Sequence, residues 1–389
     1  MEKGLEAIVQ EKPSIKKRIG GFIRKKTLPW MLLGALAVGA YAWKHAPNEP
    51  KFHRYGSIEI SEPIRLTHTF RAVSPTFSPD GKKIAYVETV DSNGNGEWDT
   101  DTDEDYLSVV DIKTKKSKRI KEGYSSPIWG SDNKIYFVNY FSEQEYCTAK
   151  INPDGTDLEC LTNTENAIGV TTINPKGDKL LGTTATKEYG PLYSNIWIMD
   201  TDGKNLKQIG KGDLPSFSPE GTKIAFERTE DTDKSDHMNN ADISQIFEYD
   251  FKTEKEKQLT FEGSNDNPRF LPDERIIYEH ADVKDGKAEF MKEKIYIMNS
   301  DGSNPRRLTK EKYDNFGEAL GLMSPNGNYV LFLAADNFYL INMNTESIKR
   351  TGLGTTSFTP IFSPDSKSIA YVKRHGPAGA NIYLMKIKE

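Results

Sequence analysis

Short runs of alternating apolar and polar residues recur from residue 57 to the C-terminus, each interrupted by a tight-turn signal. PTFSPDGKKIAYV begins at residue 75, PIWGSDNKIYFV at 127, TTINPKGDKLLG at 171 and PSFSPEGTKIAFE at 215. PRFLPDERIIYE follows at 268, GLMSPNGNYVLFL at 321 and PIFSPDSKSIAYV at 360. Each reads as strand, turn, strand. Pro fixes φ in the turn, Asp bonds back to the chain and Gly takes the positive φ. The second strand of each unit is rich in β-branched and aromatic residues, as in Ile84-Ala85-Tyr86, Ile224-Ala225-Phe226 and Ile369-Ala370-Tyr371, the composition of a buried strand.

A third strand follows in each unit: LSVVDI (107–112), YCTAKI (146–151), NIWIMD (195–200), QIFEYD (245–250), KIYIMN (294–299), FYLINM (338–343) and NIYLMK (381–386). After a polar turn comes a short fourth strand, as in LECLTN, EKQLTF and PRRLTK. Four antiparallel strands repeated every 39–53 residues are the signature of β-propeller blades. The seventh unit stops after its third strand. PIRLTHTF (63–70) has the ending of a fourth strand but precedes the first unit. Residues 63–68 are therefore expected to pair with 381–386 and close the ring, removing exposed sheet edges. The expectation is an all-β, seven-bladed β-propeller spanning 57–389. Six blades is the alternative, because the second and third units have degraded turns.

The repeated FSPDG-KIAY motif with its IWIMDTDG strand resembles the TolB-like, WD40-like β-propeller repeat family, over about residues 57–389. The resemblance implies an extracytoplasmic propeller acting as a binding scaffold. Similar propellers also sit in front of prolyl-oligopeptidase-type hydrolases. The chain departs from both patterns, with no separate α/β domain before the repeats and no hydrolase domain after them.

Composition fits short strands and turns, with 18 Tyr, 18 Phe, 30 Gly and 20 Pro. Charge is unevenly distributed. Residues 1–56 hold 11 Lys or Arg against 4 Asp or Glu, leaving 41 against 53 from residue 57 on. An acidic globular part argues against nucleic acid as partner, since phosphate binding needs clustered Lys and Arg. The basic stretch IKKRIGGFIRKK (15–26) precedes LPWMLLGALAVGAYAW (28–43), sixteen residues without a charge. Trp30, Tyr41 and Trp43 flank it as interfacial aromatics do, and the positive-inside rule places the basic side in the cytoplasm. Residues 1–27 thus read as a cytoplasmic basic tail, 28–43 as a transmembrane signal anchor and 44–56 as a tether. The propeller is then periplasmic or extracellular. Cleavage of a signal peptide after Ala40-Tyr41-Ala42, giving a secreted protein, is the alternative.

Catalytic signals are sparse. No G-x-S-x-G elbow is present. The six His residues (45, 53, 68, 237, 280 and 375) show no metal-protease spacing. Cys147 and Cys160 lie on the third and fourth strands of the second unit, flanking the NPDG turn at 152–155. A two-residue turn at Pro153-Asp154 would set them directly opposite one another, close to disulfide geometry.

Second-to-third-strand connections leave one face of a propeller. They are long in the first unit (91–106), the third (186–195), the fourth (227–244) and the fifth (280–293), which marks that face for a protein or glycan partner. The first of them, DSNGNGEWDTDTDEDY, has Asp91-x-Asn93-x-Asn95-Gly96, the opening half of a calcium loop. Glu97 would offer its carbonyl, and Asp99 and Asp103 further oxygens, so Asp91, Asn93, Asn95, Glu97, Asp99 and Asp103 form the candidate Ca2+ set. Thr102 stands where a bidentate acid is expected. The functional expectation is a membrane-anchored, non-enzymatic binding scaffold. The alternatives are a propeller hydrolase or lyase, using acids and His near the axis, and a structural component of the cell envelope.

Overall fold

A computed structural model of the chain describes residues 59–99, 102–122, 126–141, 145–185, 194–230, 242–289, 292–309, 317–335, 337–354, 357–376 and 378–388. The tail, anchor and tether expected over 1–56 lie outside these residues, as does most of the third and fourth long loops. Among the described residues no helix is long and apolar enough to cross a membrane.

The described chain is all-β, with a single 3-10 turn at Thr164–Asn166. Each repeat folds into antiparallel strands joined in sequence order. Five separate four-stranded sheets span 128–160, 169–211, 213–258, 264–307 and 318–354. A nine-stranded sheet joins the first repeat (strands within 71–122) to the last (357–388). Neighbouring first strands lie side by side from sheet to sheet, and Ser357–Phe362 lies beside Arg71–Phe77. This radial arrangement is a β-propeller. The N-terminal segment closes it, as Ile64 faces Leu384 and Arg65 faces Tyr383. Glu59 and Ile60 extend the pairing to Lys388 and Ile387.

Local chemistry explains the repeated motif. In the first repeat the Ser78 hydroxyl donates to Asp80 and accepts from the Lys83 N–H, while Gly81 N donates to the Ser78 carbonyl at φ 67°. Asn133, Glu274 and Ser366 take the same positive φ in the repeats without Gly there, a strained conformation for residues with a Cβ. The common Leu-Thr ending of the fourth strands has a matching reason. Leu66, Leu161 and Leu259 donate backbone N–H bonds to the third strands, and the hydroxyls of Thr67, Thr162 and Thr260 accept N–H bonds from Ile382, Thr148 and Ile246. The Leu side chains pack between sheets and the Thr hydroxyls satisfy backbone that would otherwise be buried unpaired. The second strands form the core as their composition predicts: Ile84, Ala85, Tyr86, Ile224, Ala225, Phe226, Ile369, Ala370 and Tyr371 are all buried.

Each described first strand from the first, fourth and fifth repeats also carries a bulge before Pro. Ser74, Leu214 and Asn267 take φ of 51°, 47° and 50°, and the strand register shifts at each. A bulge re-aims backbone N–H groups away from the ladder. At Asn267 this has a chemical consequence.

Candidate active site

In the first and seventh repeats the residue after the second-strand aromatic is a fully buried valine: Val87 follows Tyr86 and Val372 follows Tyr371. The fourth and fifth repeats put Glu227 and Glu279 at this position. Each faces a second carboxylate across its hairpin, Asp213 opposite Glu227 and Asp266 opposite Glu279. Directly opposed residues share a face, so two like-charged pairs sit where such pairs are destabilising. Glu293, next to the strand Lys294–Met298, acts electrostatically on both Asp266 and Glu279.

The bulge at Asn267 links the two repeats. Its backbone N–H donates to Glu227 Oε2 at 2.7 Å and its side-chain Nδ2 to Glu279 Oε1 at 2.8 Å. Leu320 N of the sixth repeat also donates to Glu279 Oε1, at 2.7 Å. One residue thus holds two carboxyl groups from neighbouring sheets. Glu227 lies three residues before its strand ends at Glu230, and Glu279 two before Ala281. That is the end from which the second-to-third-strand loops leave.

Burial dominates the electrostatics. It raises the Glu227 carboxyl to about 7, with Asp213 pushing the same way against the Asn267 N–H and Arg269. Glu279 rises to about 8, again chiefly by burial, with Glu293 and Glu227 adding to it. Asp266 is driven well above the usual carboxylate range by burial and then by Glu279, Glu227 and Glu293. Asp213 is raised by burial. The cation amid these acids is Arg269, on the strand Ser264–Phe270. Asp266 Oδ1, Asn267 Oδ1 and Arg269 Nε are buried without a hydrogen-bond partner.

The candidates expected from sequence lie elsewhere. The acidic loop is folded around its own backbone. Asp91 accepts N–H bonds from Gly94, Asn95 and Gly96, Asn93 from Asn95, and Asn95 from Glu97. Asp103 accepts from Asp99 N at 2.9 Å and from Ser92 N at 3.3 Å. Asp91, Asn93 and Asn95 are therefore brought together, Glu97 contributes its N–H, and Asp99 and Asp103 form the other limb. Among the described residues no group of three or more His, Cys, Asp or Glu is arranged to hold a metal ion, in this loop or at the axis.

Cys147 and Cys160 form a disulfide with Cα atoms 5.8 Å apart, but not in the expected register. Cys160 faces Ala149 and Glu159 faces Lys150, so the cysteines are diagonal rather than opposed. The turn is longer than two residues: Asn152 N donates to Thr156 O, and Asp157 takes a positive φ of 53°.

The histidines do not join the carboxylates. His280 Nδ1 is 2.9 Å from Asn265 Oδ1, its Nε2 is 3.5 Å from Asp282, and burial lowers its pKa. His375 Nε2 contacts the Tyr383 hydroxyl at 2.8 Å. His237 lies outside the described residues. The glutamates went unnoticed at the sequence level, although the signal was in the repeat itself: KIAYV and SIAYV against KIAFE and RIIYE.

No family model matches the chain. A relative, the uncharacterized protein Atu1656 of Agrobacterium fabrum, is 25% identical over 296 residues, covering 69% of this chain and 91% of its own. Among solved structures, an oligogalacturonate lyase in complex with manganese superposes with a TM-score of 0.59 at 14% identity, covering 86% of this chain and 96% of the lyase. The β-propeller domain of the Trilobed protease from Pyrococcus furiosus matches at 0.59 and 16% identity, covering 82% and 94%. An acylaminoacyl peptidase matches at 0.59 and 16% identity, covering 82% of this chain and 52% of the peptidase. TolB from Acinetobacter baumannii is similar at 0.46 and 18% identity, over 74% and 77%. The shared fold is the β-propeller, in keeping with the resemblance to TolB-like, WD40-like repeats.

These similarities correct the functional expectation. A non-enzymatic scaffold was expected because the sequence shows neither a nucleophile elbow nor a histidine cluster. The solved structures sharing the fold at the higher TM-scores are a lyase, a domain of a protease and a peptidase, so the expectation of a non-enzymatic scaffold is withdrawn. The missed features were the acids of the fourth and fifth repeats, which are far apart in sequence and meet only through the fold.

Proposed function

We propose that this chain is a propeller-based hydrolase or lyase whose proton transfers are carried by Glu227 and Glu279. The observation that carries the reading is one pair of carboxyl groups, on adjacent sheets, both bonded by Asn267 and both raised into the neutral range by burial. General acid–base catalysis works best when the catalytic pKa lies near the working pH, and two carboxyls pushed to different values divide the roles. Burial holds both carboxyls protonated closer to neutral pH than a free glutamate, so one of the pair can give a proton while the other, once ionised, takes one. Hydrolysis and elimination both need this division. The substrate enters from the end that bears the long loops.

The finer architecture belongs to the same proposal. The five four-stranded sheets count as five blades, and the nine-stranded sheet divides at the junction of Arg71 with Ala380 into a first and a seventh. Residues 28–43 anchor the chain and hold the propeller outside the cytoplasm, with secretion after cleavage as the alternative. Manganese in the lyase raises the question of a divalent cation here. Neither the axial acids nor the loop acids form a group of three or more acids or histidines placed for one among the described residues, so no step is routed through a metal and any site must draw on amide oxygens as well. We place a divalent cation, calcium by the oxygen-rich donor set, at the 91–103 loop, where the side-chain oxygens of Asp91, Asn93 and Asn95 are already drawn inward by backbone N–H groups.

The test is turnover by the full chain on a panel of oligosaccharides and peptide amides. New reducing ends or amines report hydrolysis, and ultraviolet absorbance of an unsaturated product reports elimination. A substrate turned over by the wild type and lost in both Glu227→Gln and Glu279→Gln supports the assignment. Turnover unchanged in both variants ends it.

A further inference from the structure

One end of the propeller carries a charge opposite to that of the whole. From residue 57 on, acids outnumber bases by 53 to 41. The turns at 78–83, 111–118 and 363–368 reverse this, with seven lysines against three aspartates. The matching stretch of the second repeat, 152–159, holds three acids and no base. The basic turns are neighbours in space. Ile112 N donates to Lys82 O at 3.0 Å, which joins the 111–118 turn to the 78–83 turn. A Cβ on Gly81 would stand 3.7 Å from Pro364 Cδ, so the 363–368 turn abuts the 78–83 turn across the ring closure. Ile387 N donates to Lys367 O at 2.8 Å and Ser61 N to Lys386 O at 2.9 Å, which brings the closing strand pair to the same place.

The aspartates of this face are engaged in shaping its turns. Asp80, Asp111 and Asp365 accept N–H bonds from Lys82, Thr114 and Lys367. The closing segment adds Glu59 and Glu62 against Lys386 and Lys388, which leaves the balance unchanged. Lys82, Lys113, Lys115, Lys116 and Lys367 are exposed. The ammonium groups of Lys113, Lys115 and Lys116 have no partner among the described residues.

The course of the chain identifies what this face meets. Glu59 faces Lys388 at the end of the strands away from the His375–Gly379 pair, so the N-terminal segment enters the propeller beside the lysines. The 15 residues 44–58 separate this point from the apolar run at 28–43 and can span at most roughly 50 Å. They are themselves basic, with Lys44, Lys51 and Arg54 against Glu49. An apolar run held in a bilayer keeps the lysine face within reach of lipid headgroups, and contact becomes an intramolecular step. Lysines are attracted to an anionic bilayer once they come within about one Debye length, about 8 Å.

We propose that the turn face of the first and seventh repeats docks on an anionic lipid surface, with Lys82, Lys113, Lys115, Lys116 and Lys367 against the headgroup phosphates. It rests on the proposed anchor for bringing that surface to the patch, and it is independent of the acid–base reading. Docking turns the opposite end, where the second-to-third-strand loops leave, toward solvent and substrate.

The experiment uses the full chain reconstituted in vesicles of phosphatidylcholine and in vesicles of equal parts phosphatidylcholine and phosphatidylglycerol. An amine-labelling reagent that does not cross the bilayer is applied, and labelling of each lysine is read by mass spectrometry. Lys284 and Lys287, exposed on the hairpin of the fifth long loop at the far end, serve as the internal reference. Relative to them, Lys113, Lys115 and Lys116 are expected to label roughly fivefold more slowly in the anionic vesicles than in the neutral ones, and high salt should remove the difference. Lys113→Glu/Lys115→Glu/Lys116→Glu should abolish the protection of Lys82 and Lys367 while the chain still floats with both vesicles. Flotation with neutral vesicles tests the anchor by itself. A chain that floats there and shows one labelling ratio in both lipids keeps the anchor and overturns the docking. A chain that does not float there sinks the anchor, and protection of the same lysines on mixing with anionic vesicles still upholds the docking face. Protection in neutral vesicles that grows with protein density is contact between copies and overturns the lipid assignment. So does a triple variant that folds and still protects Lys82 and Lys367 in anionic vesicles.

Discussion

The first repeat and the fourth and fifth repeats both concentrate carboxylates, and they do opposite things with them. The 91–103 loop gathers its acids within one short stretch and satisfies Asp91 and Asp103 with its own backbone N–H groups. The axial acids come from residues 213, 227, 266, 279 and 293, a spread of repeats that looks unremarkable in sequence. They are half-buried with desolvated carboxyls, and Asp213 faces Glu227 and Asp266 faces Glu279 across strands, with Asp266 Oδ1 left without a partner. Local density of acid therefore says little about chemistry. What separates the regions is desolvation: a carboxylate taken out of water and set against another is held protonated toward neutral pH.

The sharpest way to break this comparison is to neutralise one axial acid. Glu279→Gln keeps the shape and an acceptor for Asn267 Nδ2 and Leu320 N but cannot give up a proton. Its turnover is expected to fall by roughly 10²–10⁴-fold, the range for loss of a general acid or base. Glu227→Gln should fall comparably. A loss confined to KM, with kcat unchanged, would assign the glutamates to binding instead of proton transfer.

The second test concerns stability against pH. Glu227 and Glu279 have folded pKa values above their unfolded value of 4.5. Between pH 4.5 and about 8 the folded state therefore holds more protons than the unfolded state, and stability must fall as pH rises. Thermal melts should show the midpoint declining over this window, with the Glu227→Gln/Glu279→Gln double variant declining much less. Parallel slopes for the two proteins would place the carboxylates in ordinary solvent.

The fold was more legible than the site, for a physical reason. A blade is specified locally: Ser-Pro-Asp-Gly bonds to itself, Ile-Ala-Tyr fills the gap between sheets, and Leu-Thr ties the fourth strand to the third. Seven repetitions of a local rule can be read without knowing where anything sits. Even the closing pairing of residues 64–65 with 383–384 followed from a Leu-Thr ending found before the first repeat. The site obeys no local rule. Asn267 joins Glu227 to Glu279 only because a bulge before Pro268 turns its N–H toward the preceding sheet. The one trace in sequence was a Glu where the first, second and seventh repeats carry Val. The cysteine register shows the same limit on a smaller scale: the pairing of strands was readable, but the extra residues in the 152–157 turn were not.

The disulfide gives the next smaller effect. It closes a loop with a sequence separation of 13, for which the entropy lost by the unfolded chain corresponds to about 3 kcal/mol. Cys147→Ala/Cys160→Ala, or reduction of the wild type, should lower the melting midpoint by several degrees. It should leave the axial chemistry unchanged, since the second repeat contributes nothing to the acid pair. A fall in turnover at temperatures where the variant is folded would show that the second repeat does communicate with the axis.

The smallest effect is expected where the sequence looked most promising. Asp91→Ala removes three accepted N–H bonds from the loop tip, but these groups are exposed and water replaces the lost acceptor. Without metal the cost should be at most about 1 kcal/mol. A bound cation changes that arithmetic. Binding only to the folded loop raises the midpoint by mass action, so millimolar Ca2+ should stabilise the wild type relative to EDTA and leave Asp91→Ala unmoved. Equal midpoints for wild type in Ca2+ and in EDTA would reduce the loop to a self-bonded surface turn. The outcome also bears on the contrast with the axis. Asp91 and its neighbours are oriented by backbone N–H groups before any ion arrives, so a cation would add to an arrangement already made. The axial acids have no such local support and are held in place by the packing of whole sheets. Calcium binding at the loop should accordingly leave the pH dependence of turnover where the glutamates set it.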